Sequence, residues 1–385
     1  MKNIETNTTI REQETTKQSH SAAKSTRIVS LDALRGFTMF WIIGAGAFFR
    51  TLPQVIDLPL FRWLSTQFIH APWNGFRFYD LIFPLFMFIS GVAIPFSIGR
   101  QSEKGACKRE IIFKAAKRSL ILVVFGVIYN NKFSFDFAQM RYASVLGQIG
   151  VAYFFAVLIY TLNDVKRQVF WIIGILLGFW AAMTLIPVPG VGAGVLTPEG
   201  NFSGYIDRLL LPGTLYRGTY DPQGLLLMIS AIAVTAIGSL GGSFLKNSKF
   251  SDMRKIVMMT LAGIGLVLIS LIWNVWYPIN KEIWSSSYNV LTAGLSLVLF
   301  AAFYYLIDVR HFKKWAFPLI VMGLNSITIY LAHRMINFQY TSDFILAGIL
   351  SISGPYGSLV SIAGAVVIQF AFLYILYRKK IFLKI

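Results

Sequence analysis

The sequence is short of charge, of cysteine and of every compact catalytic signature. Charged residues make up 14% of its 385 positions, against roughly a quarter in soluble domains. That excludes an ordinary soluble enzyme. The single cysteine, Cys107, excludes an internal disulfide and any multi-cysteine metal site. No GxxxxGK[ST] loop, HExxH, CxxC pair or GxSxG elbow occurs, so phosphate-driven pumping, zinc hydrolysis and serine-hydrolase chemistry have no support. No metal is expected. No internal repeat is visible, so the inverted-repeat signature of many transporters is missing. The first 26 residues hold no apolar run and cannot be a signal peptide. They are expected to form a disordered cytoplasmic tail, in which His20 is inert.

Apolar residues are abundant, at 56%, and mean hydropathy is +0.62. They come in blocks of about 20, the length a bilayer core asks of a helix. The expected fold is all-α: a polytopic membrane bundle of about ten transmembrane helices over residues 27–385. The blocks lie near 30–49, 78–99, 112–129, 143–162, 168–187, 224–242, 255–276, 287–307, 316–333 and 357–377. A piece at 343–353 is too short to span and reads as re-entrant or interfacial. The net charge of +18 does not imply nucleic acid here. With both termini placed inside, 26 of the 35 Lys and Arg fall in inner segments, as the positive-inside rule demands. The expected topology is therefore N-in and C-in.

This topology puts the polar motifs outside. The densest is HAPWNGFRFYD, residues 70–80, which holds His70, Trp73, Asn74, Arg77 and Asp80 at a membrane boundary. An imidazole near a carboxylate can work as a general base. An interfacial belt with an Arg77–Asp80 pair explains the same residues without function, and Asp80 also suits a helix N-cap. Arg141, Gln148, Asn280, Lys281, Asn325 and His333 mark further polar points near the outer ends of spans. Together they suggest one shared polar cavity for a substrate. Arg35 opens the first span within SLDALRG, where it either snorkels inward or meets an anion entering from inside.

These segments resemble one family. SLDALRG, HAPWNG, DLIFPLFMFI, VLGQIGVAYF, IPVPG, GYIDRLLLP, YDPQGLL, PINKEIWSSSY, GLNSITIY and LYRKKIFLKI are similar, in the same order, to segments of the transmembrane acyltransferases that include the lysosomal heparan-α-glucosaminide N-acetyltransferase. The likeness runs from about residue 27 to the C-terminus. It implies transfer of an acetyl group from cytoplasmic acetyl-CoA to an amine on the far side, such as the amine of a terminal glucosamine. It implies a catalytic role for His70, with Asp80 beside it. Trp73, Asn74, Arg141, Gln148, Asn280, Lys281, Asn325 and His333 are then expected to bind the amino sugar or glycan, and Arg35, Ser285 and Ser287 the acetyl-CoA. Lipid is an expected partner and a homodimer is left open. The expected location is a bacterial inner membrane. One departure stands out: Gly46 occupies the position of the family's first-span asparagine. O-acetylation of a surface polysaccharide and sugar transport without acyl transfer remain the rival functions.

Overall fold

The structure, a computed structural model, describes residues 27–133 and 136–383. The expected disordered tail and His20 lie outside the described residues. Among the described residues sixteen α-helices follow one another. They are α1 (Val29–Phe40), α2 (Gly46–Val55), α3 (Pro59–Gln67), α4 (Phe78–Glu103), α5 (Lys108–Asn131), α6 (Val145–Leu162), α7 (Val165–Leu185) and α8 (Phe202–Leu210). Then come α9 (Leu225–Lys246), α10 (Asp252–Trp273), α11 (Ser286–Tyr304), α12 (Phe317–Leu324), α13 (Ser326–Met335), α14 (Phe338–Ile345), α15 (Ala347–Ile352) and α16 (Gly357–Arg378).

Among the described residues seven helical stretches are long and apolar enough to cross a membrane: Phe78–Glu103, Val145–Leu162, Val165–Leu185, Leu225–Lys246, Asp252–Trp273, Ser286–Val309 and Gly354–Arg378. The protein is thus read as an integral membrane protein. The other three expected spans are helical but altered, each for a physical reason. The stretch expected at 30–49 is broken by a π-helical turn, Trp41–Ala45, between α1 and α2, where Gly44 leaves helical geometry. The stretch expected at 112–129 becomes α5, whose first eleven residues carry Lys108, Arg109, Glu110, Lys114, Lys117 and Arg118. The stretch expected at 316–333 splits at Asn325 (φ −122°, ψ 35°) into α12 and α13. The 343–353 piece falls across two short helices, α14 and α15.

The helices divide into a centre and a rim. The most apolar stretch of α4 is 72% buried, whereas those of α7, α10 and α16 are 28%, 17% and 28% buried. The rim helices therefore present apolar faces outward, as lipid contact requires. At the centre, α4 lies against α9 with almost no side-chain layer between them. A Cβ on Gly238 or Gly242 would strike the carbonyls of Phe88 or Val92, the close approach that small residues permit in membrane bundles. Gly36 of α1 and Gly323 of α12 allow the same contact.

The bundle has two distinct ends. One carries His70 and the loops 56–77, 186–224 and 274–285; we term it the histidine end. Pairing of Asn74 with Asn280, and of Arg141 with Gly213, ties these loops together. The other, the basic end, carries Arg27, Arg100, Lys104 and Lys108. There the carboxylate of Asp308 accepts from the free backbone N–H groups of Val29 and Ser30 at the start of α1, satisfying donors that no helical carbonyl can reach.

Candidate active site

The chain enters α4 through a capping box. The Asp80 carboxylate, at the third helical position, reaches back to the Arg77 N–H at 2.9 Å and meets the Ala71 N–H at 3.3 Å. Its other oxygen lies 2.6 Å from His70 Nδ1. The carboxylate is fully buried, while the His70 side chain stays 38% exposed. One residue thus starts the helix and orients the imidazole. With Nδ1–H donating to the carboxylate, Nε2 is left as the free base, the arrangement of an acid–base histidine. Nε2 has no partner among the described residues. The backbone around His70 is held as well. Arg77 donates to the His70 carbonyl at 3.1 Å, and the buried Tyr288 hydroxyl donates to the Asp80 carbonyl at 2.7 Å.

Tyr79 closes one side of the imidazole, with ring centroids 5.0 Å apart. Arg50 lies over the other part of this tyrosine at 5.8 Å and donates to the Phe68 carbonyl. A Cβ on Gly46 would sit 3.1 Å from the Tyr79 ring. This position is therefore packed against Tyr79, and a larger side chain would have to displace that ring.

The expected substrate residues fall into three places. Trp73, Asn74, Arg141, Asn280 and Lys281 gather in the loops of the histidine end. Trp73 donates to the Leu196 carbonyl and meets Tyr220 edge to face at 5.4 Å. Asn74 accepts from the Asn280 amide. Arg141 grips Asp221 through two 2.7 Å bonds. Lys281 pairs with Glu282, which also accepts from Tyr220 and Arg217. Burial alone would push Glu282 up, but Lys281, the Tyr220 hydroxyl and Arg217 outweigh it and hold its carboxyl below the usual range. Gln148 is buried on α6 and donates to the Leu227 carbonyl. His333 stands apart, in a cavity of about 520 Å³ with Arg50, Lys132, Arg334 and Gln369. Its Nδ1 meets Gln369, whose amide donates to the Ile43 carbonyl in the π turn. Asn325 is not at the histidine end. It donates to Ile381 and accepts from Leu383, latching a C-terminal strap that the left-handed Lys380 turns back into the bundle.

Ser285 and Ser287 are not near Arg35. Ser285 caps α11 and accepts from the Asn280 N–H; Ser287 donates to the Tyr277 carbonyl. Both are fully buried at the histidine end of α11. Val29, six residues before Arg35, lies by Asp308 at the opposite end, some ~30 Å along that helix. The two serines, expected beside a nucleotide with Arg35, instead hold loop backbone.

One helix runs past two further polar cavities. Beyond Asp80, α4 offers Phe86 and Ser90 to a central cavity of about 200 Å³ with Arg35, Arg118, Tyr153 and Leu383. Further on, Ala93, Phe96 and Arg100 line a second cavity of about 160 Å³ with Arg27, Asp32 and Arg35. Arg35 is the wall common to both. Sequence reasoning missed Tyr79 and Arg50, an aromatic and a basic residue at span ends that look like ordinary anchors; Arg118 closes the basic stretch from Arg100, which either meets phosphates or merely follows the positive-inside bias. A groove of about 640 Å³ between α7, α9, α10 and α11 is lined by apolar side chains with no titratable group among the described residues.

Comparison with known proteins bears on this geometry. A family model described as a domain of unknown function (DUF5009) matches residues 27–191. Heparan-alpha-glucosaminide N-acetyltransferase of Homo sapiens is 29% identical over 377 residues, covering 83% of this chain. The Mus musculus protein of that name matches to the same extent. The chain spans 56% of the length of these relatives. It is a membrane protein with a distant but extended resemblance to this N-acetyltransferase.

Proposed function

We propose that the protein is a transmembrane acetyltransferase. It takes acetyl from acetyl-CoA entering at the basic end, which faces the cytoplasm of a bacterial inner membrane, and delivers it to an amine at the histidine end. The observation that carries this reading is His70: Nδ1 on a buried carboxylate, Nε2 free, at the head of a helix lined by arginine-bearing cavities. The resemblance to a heparan-glucosaminide N-acetyltransferase supports an amino-sugar acceptor.

The amine nitrogen attacks the thioester carbonyl. His70 Nε2 takes the proton that the new C–N bond makes acidic and returns it to the departing CoA thiolate. The Asp80 carboxylate stabilises the imidazolium in between. Amide and free thiol are the balanced products. In a two-step version, Nε2 itself carries the acetyl group between donor and acceptor. Trp73 and the loop aromatics offer faces for a sugar ring.

The test is acetyl transfer from labelled acetyl-CoA to glucosamine by reconstituted protein. Wild type should form N-acetylglucosamine, and His70→Ala should slow it by at least about 10²-fold. Equal rates would remove His70 from the chemistry. Acid quenching without acceptor separates the two versions, because only the second leaves label on His70.

A further inference from the structure

Arg118 has no role in the chemistry just described. It sits ten residues into α5 and Arg35 six residues into α1, or ~15 Å and ~9 Å from the basic end. Ionisable groups inside a packed bundle are expensive and have partners. Here partners are too few. Among the described residues no carboxylate lines the central cavity. Arg118 packs on the Tyr153 ring at 4.4 Å, and its buried Nε has no hydrogen-bond partner. Arg35 reaches Asp32 only at 3.6 Å, and Arg27 already holds that carboxylate at 2.6 Å. Snorkelling would carry these guanidinium groups out to the basic end. Instead both line the same cavity. A polar cavity with two cations and no anion among the described residues suits a doubly charged oxyanion.

We propose that Arg35 and Arg118 bind the pyrophosphate of CoA, one pantetheine arm away from His70. The proposal rests on the acetyl-CoA reading. Its second support is length. Ser90 marks the central cavity on α4 and Asp80 lies ten residues earlier, which is ~15 Å along the helix. Fourteen bonds separate the nearer phosphorus of CoA from its thioester carbon. A fully extended chain covers about 3.5 Å for every three bonds, so this arm reaches ~16 Å. A pyrophosphate between the two arginines therefore brings the thioester level with Asp80 and His70. The nucleotide then points into the second cavity, between Arg27 and Arg100.

The experiment compares two donors in reconstituted protein: acetyl-CoA, and S-acetylpantetheine, which keeps the arm and lacks the pyrophosphate. In wild type, S-acetylpantetheine should show a KM at least tenfold above that of acetyl-CoA. Arg118→Gln should raise the KM for acetyl-CoA tenfold or more, far more than it raises that for S-acetylpantetheine, and should weaken CoA binding in calorimetry. Arg118→Lys should recover part of both. Equal KM values for the two donors in wild type would overturn the proposal, even if the Gln variant fails to fold. So would a substitution that weakens both donors alike. Wild type that neither binds CoA nor transfers acetyl would instead remove the acetyl-CoA reading, and this proposal with it.

Discussion

Asp80 performs two jobs through one carboxylate, and substitution should separate them. Asp80→Asn removes the charge that steadies the imidazolium and allows the wrong tautomer. The acetyl-transfer rate should fall on the order of 10³–10⁴-fold. The same change weakens the α4 cap by about 1 kcal/mol, visible as a lower Tm. His70→Ala should lose rate without that cap penalty. Asp207 offers a pH test on α8. Its buried carboxyl, accepting from Leu225 and Asp221 N–H groups, is pushed up to about 6, first by burial. The folded chain thus keeps a proton that the unfolded chain releases near pH 4. This stabilisation is complete below pH 4 and lost as pH rises through 6, roughly 3 kcal/mol in all. Asp207→Asn should flatten the stability curve between those values in detergent. A curve of unchanged slope would show that Asp207 titrates normally. At this scale, His70 and Asp80 were legible because the motif is contiguous and the capping geometry local. Asn280, Ser285 and Ser287 were legible only as a polar cluster. That they cap and brace a buried loop depends on contacts with distant segments.

Apolar blocks announce helices well, and every expected block is helical. The breaks were not legible. The Ile43 carbonyl, within the π turn at Trp41–Ala45, accepts from the side-chain amide of Gln369 on α16. No pattern within the first span reveals a partner more than 300 residues away. Gln369→Leu strands that carbonyl and the His333 ring together, and unsatisfied buried groups cost about 1–3 kcal/mol each. The variant should unfold at lower denaturant in detergent. A midpoint equal to wild type would mean that the π turn holds itself. The break at Asn325 has the same logic: an amide in the middle of an apolar stretch reads as a substrate contact, yet it binds the chain's own C-terminal strap.

Across the whole molecule, the candidate donor and acceptor regions occupy separate parts. Two arginine-lined cavities lie along α4, whereas Trp73, Asn74, Arg141, Asn280 and Lys281 belong to loops at the histidine end. Composition and positive-inside bias suffice to foresee a membrane bundle with polar loops at one end. They do not reveal that a single helix connects these two cavities to the histidine, because that follows from how α1, α6, α9 and α11 pack around it. The depth of Arg35 and Arg118 has an electrical consequence. A pyrophosphate moving from the basic end to that depth carries about two negative charges through roughly a third of the membrane field. At ~2.3 kcal/mol per charge per 100 mV for a full crossing, the work is ~1.5 kcal/mol, or about tenfold in affinity. If the basic end faces a negative cytoplasm, the resting potential drives the donor inward. Proteoliposomes clamped at 100 mV, negative on that side, should then show a KM for acetyl-CoA about tenfold lower than at zero potential. With uncharged S-acetylpantetheine the KM should not depend on voltage. The energised membrane would then act as a force on substrate loading, in a reaction that moves no net ion across it.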